Sequence, residues 1–419
     1  MFAKHALNIR IGFFLAVRQI RRASLWTTSL IIFVMILTFL NLVVVSGILV
    51  GLIQGAVDQV HYEFTGDIIV STLEGKKYIE NSPNLVTLIQ SLPEVQAISA
   101  RYSEGAFLEA NYKTRKDTDK SNIAGTQVFG VDPRDEDMVT NLSASVTEGS
   151  YLLPTDYDQV VIGQFLLSQY VPVDDPNFAS LNNVDVGTKI RLIVNGITRE
   201  VTVKGIIKSK VDALTRNVFM VDSQLRSMVG RNDGNVDQIA ILLKKGADPL
   251  VVSAKLKQNG ADRFAKVQTF EEAQPKFLKD IIDTFNMLGT AFSSIGLVVA
   301  SITIFIVIFI NALTRRKFIG IMKGIGINGT AIELSYVFQS IFYALFGSMI
   351  GLATVYGFLV PFIARHPIDF PFSDGILVAP VGATLIRVGL LVFSTIVAGY
   401  IPARMIIRKN TLDSILGRN

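Results

Sequence analysis

Few side chains in this sequence are arranged to do bond-making chemistry. The chain has 419 residues and no cysteine, which excludes disulfides and thiolate metal sites. The three histidines are too far apart in sequence to form a metal-binding motif: His5, His61 and His366. We therefore predict no metal site and no catalytic residue in this chain.

One acidic cluster surrounds a proline and comprises Asp132, Asp135, Glu136 and Asp137. A calcium-binding loop places oxygen ligands at alternate positions around an invariant glycine, and this cluster lacks that spacing. We interpret it as a solvated loop.

A phosphate-binding loop is also missing from the sequence. The pattern Gly-x-x-x-x-Gly-Lys-Ser/Thr does not occur, and the nearest Gly-Lys pair, Gly75-Lys76, has Val70 in place of the first glycine. Such a loop is what cradles the phosphates of a nucleotide. We predict that the chain is not an enzyme and holds no cofactor, so that any ATP and Mg²⁺ would be bound by a partner chain.

Composition points to the lipid bilayer. Half of the residues are apolar and 18% are charged, whereas soluble proteins carry about 25% charged residues. Residues 54–282 contain 25 Lys/Arg and 30 Asp/Glu, a net charge of −5, so the remainder of the +5 chain carries +10. The basic residues flank apolar runs, which argues against a nucleic-acid-binding surface.

Four apolar runs are long enough to cross a membrane as helices. We predict spans at 27–53, 283–313, 335–363 and 379–403. The basic segments, predicted to be cytoplasmic, are 1–26, 314–334 and the tail 404–419; the loop 364–378 has one Arg against two Asp and is predicted to be external. The positive-inside rule then places both termini in the cytoplasm and residues 54–282 outside a bacterial plasma membrane.

Two polar residues lie inside these runs. Asn41, in the first span, is expected to hydrogen-bond across a helix interface. Arg387 lies about one turn inside the outer boundary of the fourth span, where its side chain either snorkels outward or serves a function.

The large segment 54–282 has the pattern of an α+β domain. Strands are predicted at 66–70, 95–110, 127–131 and 237–243, and a hairpin at 187–194 and 200–207 around Asn195-Gly196. Helices are predicted at 82–90, with Ser82 as the N-cap, and at 249–258. The links 54–64 and 271–283 are expected to extend the first two spans as helices. The predicted fold is therefore an α-helical membrane protein with four spans, one before and three after a large extracytoplasmic α+β domain.

The cytoplasmic segment after the second span is amphipathic. Phe318, Ile321, Met322 and Ile325 recur at helical spacing, with Arg315, Arg316, Lys317 and Lys323 between them. This pattern favours a basic helix that lies on the membrane or docks into a groove.

This segment resembles the signature of the FtsX/MacB-like permeases of ABC transporters (type VII, mechanotransmission class), roughly T-R-R-R-E-I-G-I-L-K-A-I-G-A. The matching residues are Thr314, Arg315, Arg316, Lys317, Ile319, Gly320, Ile321, Lys323, Ile325 and Gly326. The acidic position of the family is Phe318 here and its alanine is Gly324. The resemblance extends over nearly the whole chain, including Gly130-Val131-Asp132-Pro133 before the middle of the outer segment and Gly399-Tyr400-Ile401-Pro402-Ala403-Arg404 after the fourth span.

The resemblance implies a permease subunit that pairs with a second permease chain, identical or similar, and with ABC ATPase subunits that bind ATP and Mg²⁺. It implies ATPase coupling through Arg315, Arg316, Lys317, Phe318, Ile319, Met322, Lys323, Gly324 and Gly326. The outer domain would divide into a porter-like base and a sabre-like lobe at about 145–212, and an external substrate-binding or outer-membrane partner is a further expectation.

The expected activity is export or extraction of an amphiphile (lipoprotein, lipid, peptide or drug). Two alternatives remain: an FtsX-like regulator of an external cell-wall hydrolase, or a membrane sensor or scaffold without an ATPase partner.

Overall fold

The structure, a computed structural model, describes residues 2–115, 121–171, 179–274, 276–370 and 373–408. The chain divides into two units. The helical unit comprises residues 1–54, 280–370 and 374–419, and the α/β unit comprises 55–279 and 371–373. Part of the predicted lobe, 172–178, and most of the predicted tail, 409–419, lie outside the described residues.

Helices occur in both units. In chain order they are α1 Phe2–Arg21, α2 Leu25–Leu40, α3 Ser46–Val60, α4 Ser82–Gln90, α5 Pro133–Thr140, α6 Asp212–Thr215, α7 Asp222–Val229, α8 Pro249–Gln258, α9 Phe270–Ala273, α10 Lys276–Thr314, α11 Arg316–Gly324, α12 Gly329–Thr354, α13 Val360–Arg365 and α14 Val381–Ile407. Three π-helical segments continue α2, α3 and α12: Asn41–Val45, His61–Thr65 and Val355–Leu359.

The four predicted spans are confirmed as helices long and apolar enough to cross a membrane. They cover Thr28–Thr65, Asp283–Thr314, Gly329–Arg365 and Val381–Ile407. The predicted extension of the first span is therefore helical through its π segment. The link at 271–283, predicted to extend the second span, is not a single helix. Helix α9 ends at Ala273, and Gln274 takes an extended ψ of 129° before α10 begins.

Glycines allow the first and third spans to touch. A Cβ built on Gly347 would lie 2.4 Å from Cβ of Met35, and one built on Gly351 would lie 2.3 Å from a ring carbon of Phe39. Met35 and Phe39 are fully buried in the core of the helical unit. Small residues at helix crossings let backbones approach closely in this way.

The first helix packs along the start of the third span. Asn8 donates to the Thr330 hydroxyl at 2.9 Å, and the rings of Phe13 and Phe338 meet edge to face at 5.6 Å. The amphipathic α1 is thus fixed to the first turns of α12.

The strands of the α/β unit form one ten-stranded sheet. They are β1 Ile68–Ser71, β2 Val95–Glu109, β3 Ile123–Val131, β4 Val146–Gly149, β5 Gln159–Gly163, β6 Lys189–Val194, β7 Ile197–Ile207, β8 Val218–Val221, β9 Gln238–Leu243 and β10 Lys266–Thr269. Their order is β10-β1-β9-β2-β3-β8-β5-β7-β4, with β6 paired to β2 and β7. A separate pair, β11 Ile368–Phe370 and β12 Ser373–Gly375, lies before the fourth span.

The 15-residue β2 joins the two halves of this sheet. Its first half pairs with β9 through Arg101, and its second half pairs with β3 from Tyr102 onward. The two halves have separate buried clusters, one centred on β1 and β9 and the other on β3, β5, β6 and β7. The predicted hairpin is confirmed as β6 and β7 around Asn195-Gly196.

One strand of the α/β unit is longer than predicted, and two other local predictions are wrong. The strand predicted at 127–131 is confirmed, but it begins earlier, at Ile123. Ser82 is not the N-cap of α4, because Asn81 holds that position and the Ser82 hydroxyl is buried beneath the helix. The acidic cluster is a helix, α5, which Asp132 caps by accepting hydrogen bonds from the backbone N–H groups of Arg134 and Asp135.

Glu136 of this cluster is fully buried and paired with Arg101. The guanidinium binds the carboxylate through two bonds, Nε to Oε2 at 2.8 Å and Nη2 to Oε1 at 2.7 Å. Ser99 and Thr140 donate hydroxyl groups to the same carboxylate. The pair therefore connects β2 to α5 without access to water.

Replacing Glu136 by Gln is expected to destabilise the α/β unit by about 3–5 kcal/mol, because it leaves the buried Arg101 without a counter-charge. Pulse proteolysis of the full-length chain in detergent, across a urea series, measures the loss. Asp212→Asn is the control, because it removes the exposed partner of Arg216 and should cost under about 1 kcal/mol. Equal losses in both variants would contradict the assignment.

Gly351→Leu is expected to separate the first and third spans, because a leucine side chain cannot occupy the space held by the Phe39 ring; overpacking of this kind costs about 1–3 kcal/mol or more. Gel filtration of the solubilised protein after a heating series measures the shift in melting temperature. Gly389→Leu is the matched control, since no atom lies within 4 Å of a Cβ built there. An unchanged melting temperature for Gly351→Leu would refute the close packing.

Candidate coupling site

The helix α11 is short, and residues with non-helical backbone angles bound it on both sides. Arg315, with φ −99° and ψ 9°, separates it from α10. Gly326 takes a left-handed φ of 91°, which glycine adopts readily, and Asn328 then caps α12 by accepting from the Thr330 N–H at 3.1 Å. The segment between the second and third spans is therefore a defined helix with fixed ends.

One face of α11 is buried in the helical unit. Ile319 is 2% exposed and Gly320 is buried, while Met322 packs against the core of the spans. Lys323 Nζ donates to the carbonyl oxygen of Ile407 at 2.9 Å, at the last residue of α14. These contacts attach α11 to the end of the fourth span.

The opposite face of α11 presents apolar side chains to solvent. Phe318, Ile321 and Ile325 are 66%, 45% and 73% exposed. Their spacing of three and four residues places them on one side of the helix. We call these three residues the apolar stripe.

The structure divides the predicted coupling residues into two groups. Ile319 and Met322 face inward, and Lys323 bonds to α14, so these three position the helix. Phe318, Lys317, Gly324 and Gly326 are exposed, whereas Arg315 and Arg316 are half-buried. Ile321 and Ile325 were not among the predicted coupling residues, although their helical spacing marked them in the sequence.

The end of the first long helix is fixed inside the α/β unit. Its last turn is the π segment His61–Thr65, where the Phe64 carbonyl accepts from Arg101 Nη2 at 2.7 Å and the guanidinium lies 4.5 Å over the Phe64 ring. The buried Arg101–Glu136 pair therefore holds both the sheet and the terminus of this helix. No sequence pattern indicated this role, since the two residues are 35 positions apart.

His61, in the same π segment, makes a second set of contacts. Its Nε2 lies 3.0 Å from the Asp67 carboxylate, and its ring stacks on Phe270 at 4.5 Å. The backbone N–H of Leu243 also donates to Asp67, at 2.7 Å. Burial acts to raise the pKa of Asp67, but the hydrogen bonds with His61 and Leu243 outweigh it and lower the pKa below its ordinary 3.8.

A polar cavity of about 710 Å³ is lined in part by residues 102–105 of β2. Residues 102–105 of β2 lie between the end of the β9 pairing and the start of the β6 pairing, and the Ser103 N–H and hydroxyl both donate to Asp237. Burial raises the pKa of Asp237, and burial together with a hydrogen bond to Glu104 raises the pKa of Tyr102 to about 12. The cavity can bind polar groups. No cluster of three metal-ligating side chains occurs in the part of the chain that the structure describes.

Comparison with known proteins matches both units to one kind of transporter. Residues 29–259 match the MacB-like periplasmic core domain, and residues 290–411 match the FtsX-like permease C-terminal domain. The chain belongs to the FtsX/MacB-like ABC transporter permeases. Its four apolar helices and its periplasmic-type core make it a multi-pass membrane protein with an extracytoplasmic domain.

Two curated relatives are similar over part of their length. An uncharacterised ABC transporter permease from Methanocaldococcus jannaschii is 27% identical over 56% of this chain and 60% of its own. A macrolide export ATP-binding/permease protein MacB from Agrobacterium fabrum is 26% identical over 49% of this chain and 31% of its own. The chain thus spans less than two thirds of either relative.

Two solved structures are similar to part of the chain, both at low sequence identity. The periplasmic region of MacB from Actinobacillus actinomycetemcomitans is 12% identical, with a TM-score of 0.36 over 51% of this chain and 92% of its own. The extracellular domain of a noncanonic ABC-type transporter, YknZ, from Gram-positive bacteria is 13% identical, with a TM-score of 0.32 over 48% of this chain and all of its own.

The contribution of Asp67 to stability is expected to depend on pH. Because its folded pKa is lowered, the contribution is present above about pH 3.8 and is lost as the pH falls through the folded value. The urea midpoints of the wild type and of Asp67→Asn should differ at pH 5 and converge as the pH falls below 3.8. A difference that stays constant between pH 5 and pH 2.5 would contradict the role of the charged carboxylate.

Proposed function

We propose that this permease couples ATP hydrolysis by a separate ABC ATPase to the export or extraction of an amphiphile outside the cytoplasmic membrane. The observation that carries the proposal is the apolar stripe of Phe318, Ile321 and Ile325, exposed on a helix whose other face is fixed to the spans. An amphipathic helix of this kind buries its exposed stripe in a partner groove.

The attachment of α11 makes it suited to transmit motion. Its inward side chain Ile319 is buried among the spans, and Lys323 bonds to the end of α14. A displacement of α11 by a partner would therefore act on the fourth span directly, rather than being absorbed by a flexible loop.

The chemistry of the stripe defines the expected partner surface. An apolar groove would take Phe318 and Ile325, and acidic residues at its rim would face Lys317 and the half-buried Arg315 and Arg316. Phe318 stands where the family has an acid, so we expect an apolar anchor here in place of a polar contact. Phenylalanine, like tyrosine and tryptophan, is enriched at the cores of protein interfaces.

The helix of the first span, Thr28–Thr65, is held at its end by the Arg101–Glu136 pair through Phe64. In the proposed cycle two permease chains, alike or similar, pair and recruit two ATPases that bind ATP and Mg²⁺. Both termini are cytoplasmic. Movement of the spans is passed through this helix to the outer domain. The outer domain consists of a porter-like base and a lobe at about 145–212.

The proposed substrate class is supported by one relative, which is named as a macrolide exporter.

The test measures the ATPase that copurifies with the tagged full-length chain from its source membranes, identified by its Walker motif. Phe318→Ala should weaken its association at least tenfold, about 1.4 kcal/mol, because the stripe loses its largest apolar group. Phe393→Ala is the matched control, since Phe393 is equally exposed (68%) but lies on the fourth span. The proposal fails if no ATPase copurifies or if Phe318→Ala leaves the association unchanged.

The effect of Phe318→Ala also distinguishes the proposed transporter from the two alternative functions. A transporter should lose ATP-dependent release of substrate, whereas a hydrolase regulator should lose cell-wall hydrolysis and move no substrate. A sensor or scaffold would bind no ATPase at all.

A further inference from the structure

Arg387 is an arginine inside a membrane-spanning helix. It lies six residues after Val381, where α14 begins, which corresponds to about 9 Å along the helix. This places it close to the outer end of the fourth span, within reach of the headgroup region. Ionisable residues inside spans are rare and usually have a functional partner.

Among the described residues, one hydrogen-bond acceptor contacts its guanidinium. Nη2 donates to the hydroxyl of Ser46, on the first long helix, at 2.7 Å. Nη1 is buried and has no hydrogen-bond partner. Among the described residues, no carboxylate forms an ion pair with Arg387.

The neighbouring polar groups are already engaged with each other. The Tyr356 hydroxyl bonds to the Ala379 carbonyl at 2.9 Å and to the Thr384 hydroxyl at 3.0 Å. The Gly47 carbonyl accepts from the Val378 N–H at 3.2 Å. The side chain of Arg387 is half-buried, and its five N–H donors have one acceptor among the described residues, the Ser46 hydroxyl.

We infer that Arg387 binds the phosphate of an amphiphile at the outer leaflet. A phosphate diester supplies the missing negative charge and can accept two parallel N–H bonds from a guanidinium. An unpaired arginine in apolar surroundings is costly, and a bound phosphate would offset that cost.

The inference deepens the proposed function, on which it rests for the role of the ligand, by naming a phosphate-bearing amphiphile as the substrate class. The phosphate chemistry is shared by a phospholipid headgroup and by free phosphate in water, and Ser46 would orient the guanidinium toward either one. Binding itself requires no ATPase.

The experiment uses the full-length chain, without ATPase, in maltoside micelles. Native mass spectrometry counts the phosphatidylglycerol retained after a wash, and diacylglycerol with the same acyl chains serves as the phosphate-free probe. We expect wild-type protein to retain phosphatidylglycerol over diacylglycerol and Arg387→Gln to retain at least tenfold less phosphatidylglycerol. Arg387→Lys, which keeps the charge and guards against misfolding, should fall between them because it lacks the two-pronged geometry.

Arg365→Gln is the matched control, because Arg365 is an exposed arginine at the end of α13, before the same external loop. It should leave retention unchanged. The inference is overturned if Arg387→Gln and Arg387→Lys both retain phosphatidylglycerol as the wild type does, or if Arg365→Gln loses it equally.

A second arm adds inorganic phosphate to the lipid-loaded protein. Retention that resists about 50 mM phosphate identifies the lipid headgroup as the source, since exposed ionic contacts are largely screened at such ionic strength. Displacement that depends on Arg387 identifies a phosphate site open to water. Because this assay contains no ATPase, its failure leaves the copurification result on Phe318→Ala unaffected.

Discussion

The buried pair of Arg101 and Glu136 is the interaction on which the arrangement of the α/β unit depends. Two charges without water contact are costly unless each is fully bonded. Glu136 meets this requirement with Arg101, Ser99 and Thr140, and Arg101 meets part of it with the Phe64 carbonyl. The carboxylate is bonded by side chains of β2 and α5, and the guanidinium by the carbonyl at the end of helix Thr28–Thr65, so both charges are satisfied only while these three elements hold their observed positions. The need to satisfy both buried charges therefore constrains the positions of these three elements.

The constraint extends to both halves of the sheet, because β2 pairs with strands in each half. Arg101 is the last residue of β2 that pairs with β9, and Tyr102 is the first that pairs with β3. The ion pair thus lies where the pairing of β2 passes from β9 to β3. The Phe64 carbonyl bonds to Arg101 at this point, between two separately packed cores.

The sequence was informative wherever a property repeats along the chain. Uncharged runs predicted the four spans, and helical spacing predicted an amphipathic α11, because both patterns are local. The burial of Glu136 was missed because its neighbours Asp132, Asp135 and Asp137 look like a solvated run, and only one of the four acids turns inward. Its partner is 35 residues away on another element, so no local pattern encodes it. The direction in which α11 faces was likewise beyond the sequence, since Ile319 and Ile321 are equally apolar and only packing against the spans separates them.

Arg101 and Arg387 show how a guanidinium group takes different roles in the two units. At Arg101 the protein provides a carboxylate, a carbonyl and an aromatic ring, so the charge is neutralised internally and the site can be structural. At Arg387 the protein provides one hydroxyl and no carboxylate among the described residues. A charge that the fold neutralises stabilises the fold, whereas a charge that it leaves open must be balanced from outside. Within a membrane helix, the available balancing groups are those of the lipid surface and of the molecules that pass through it, and this difference in bonding is what separates an anchor from a binding site.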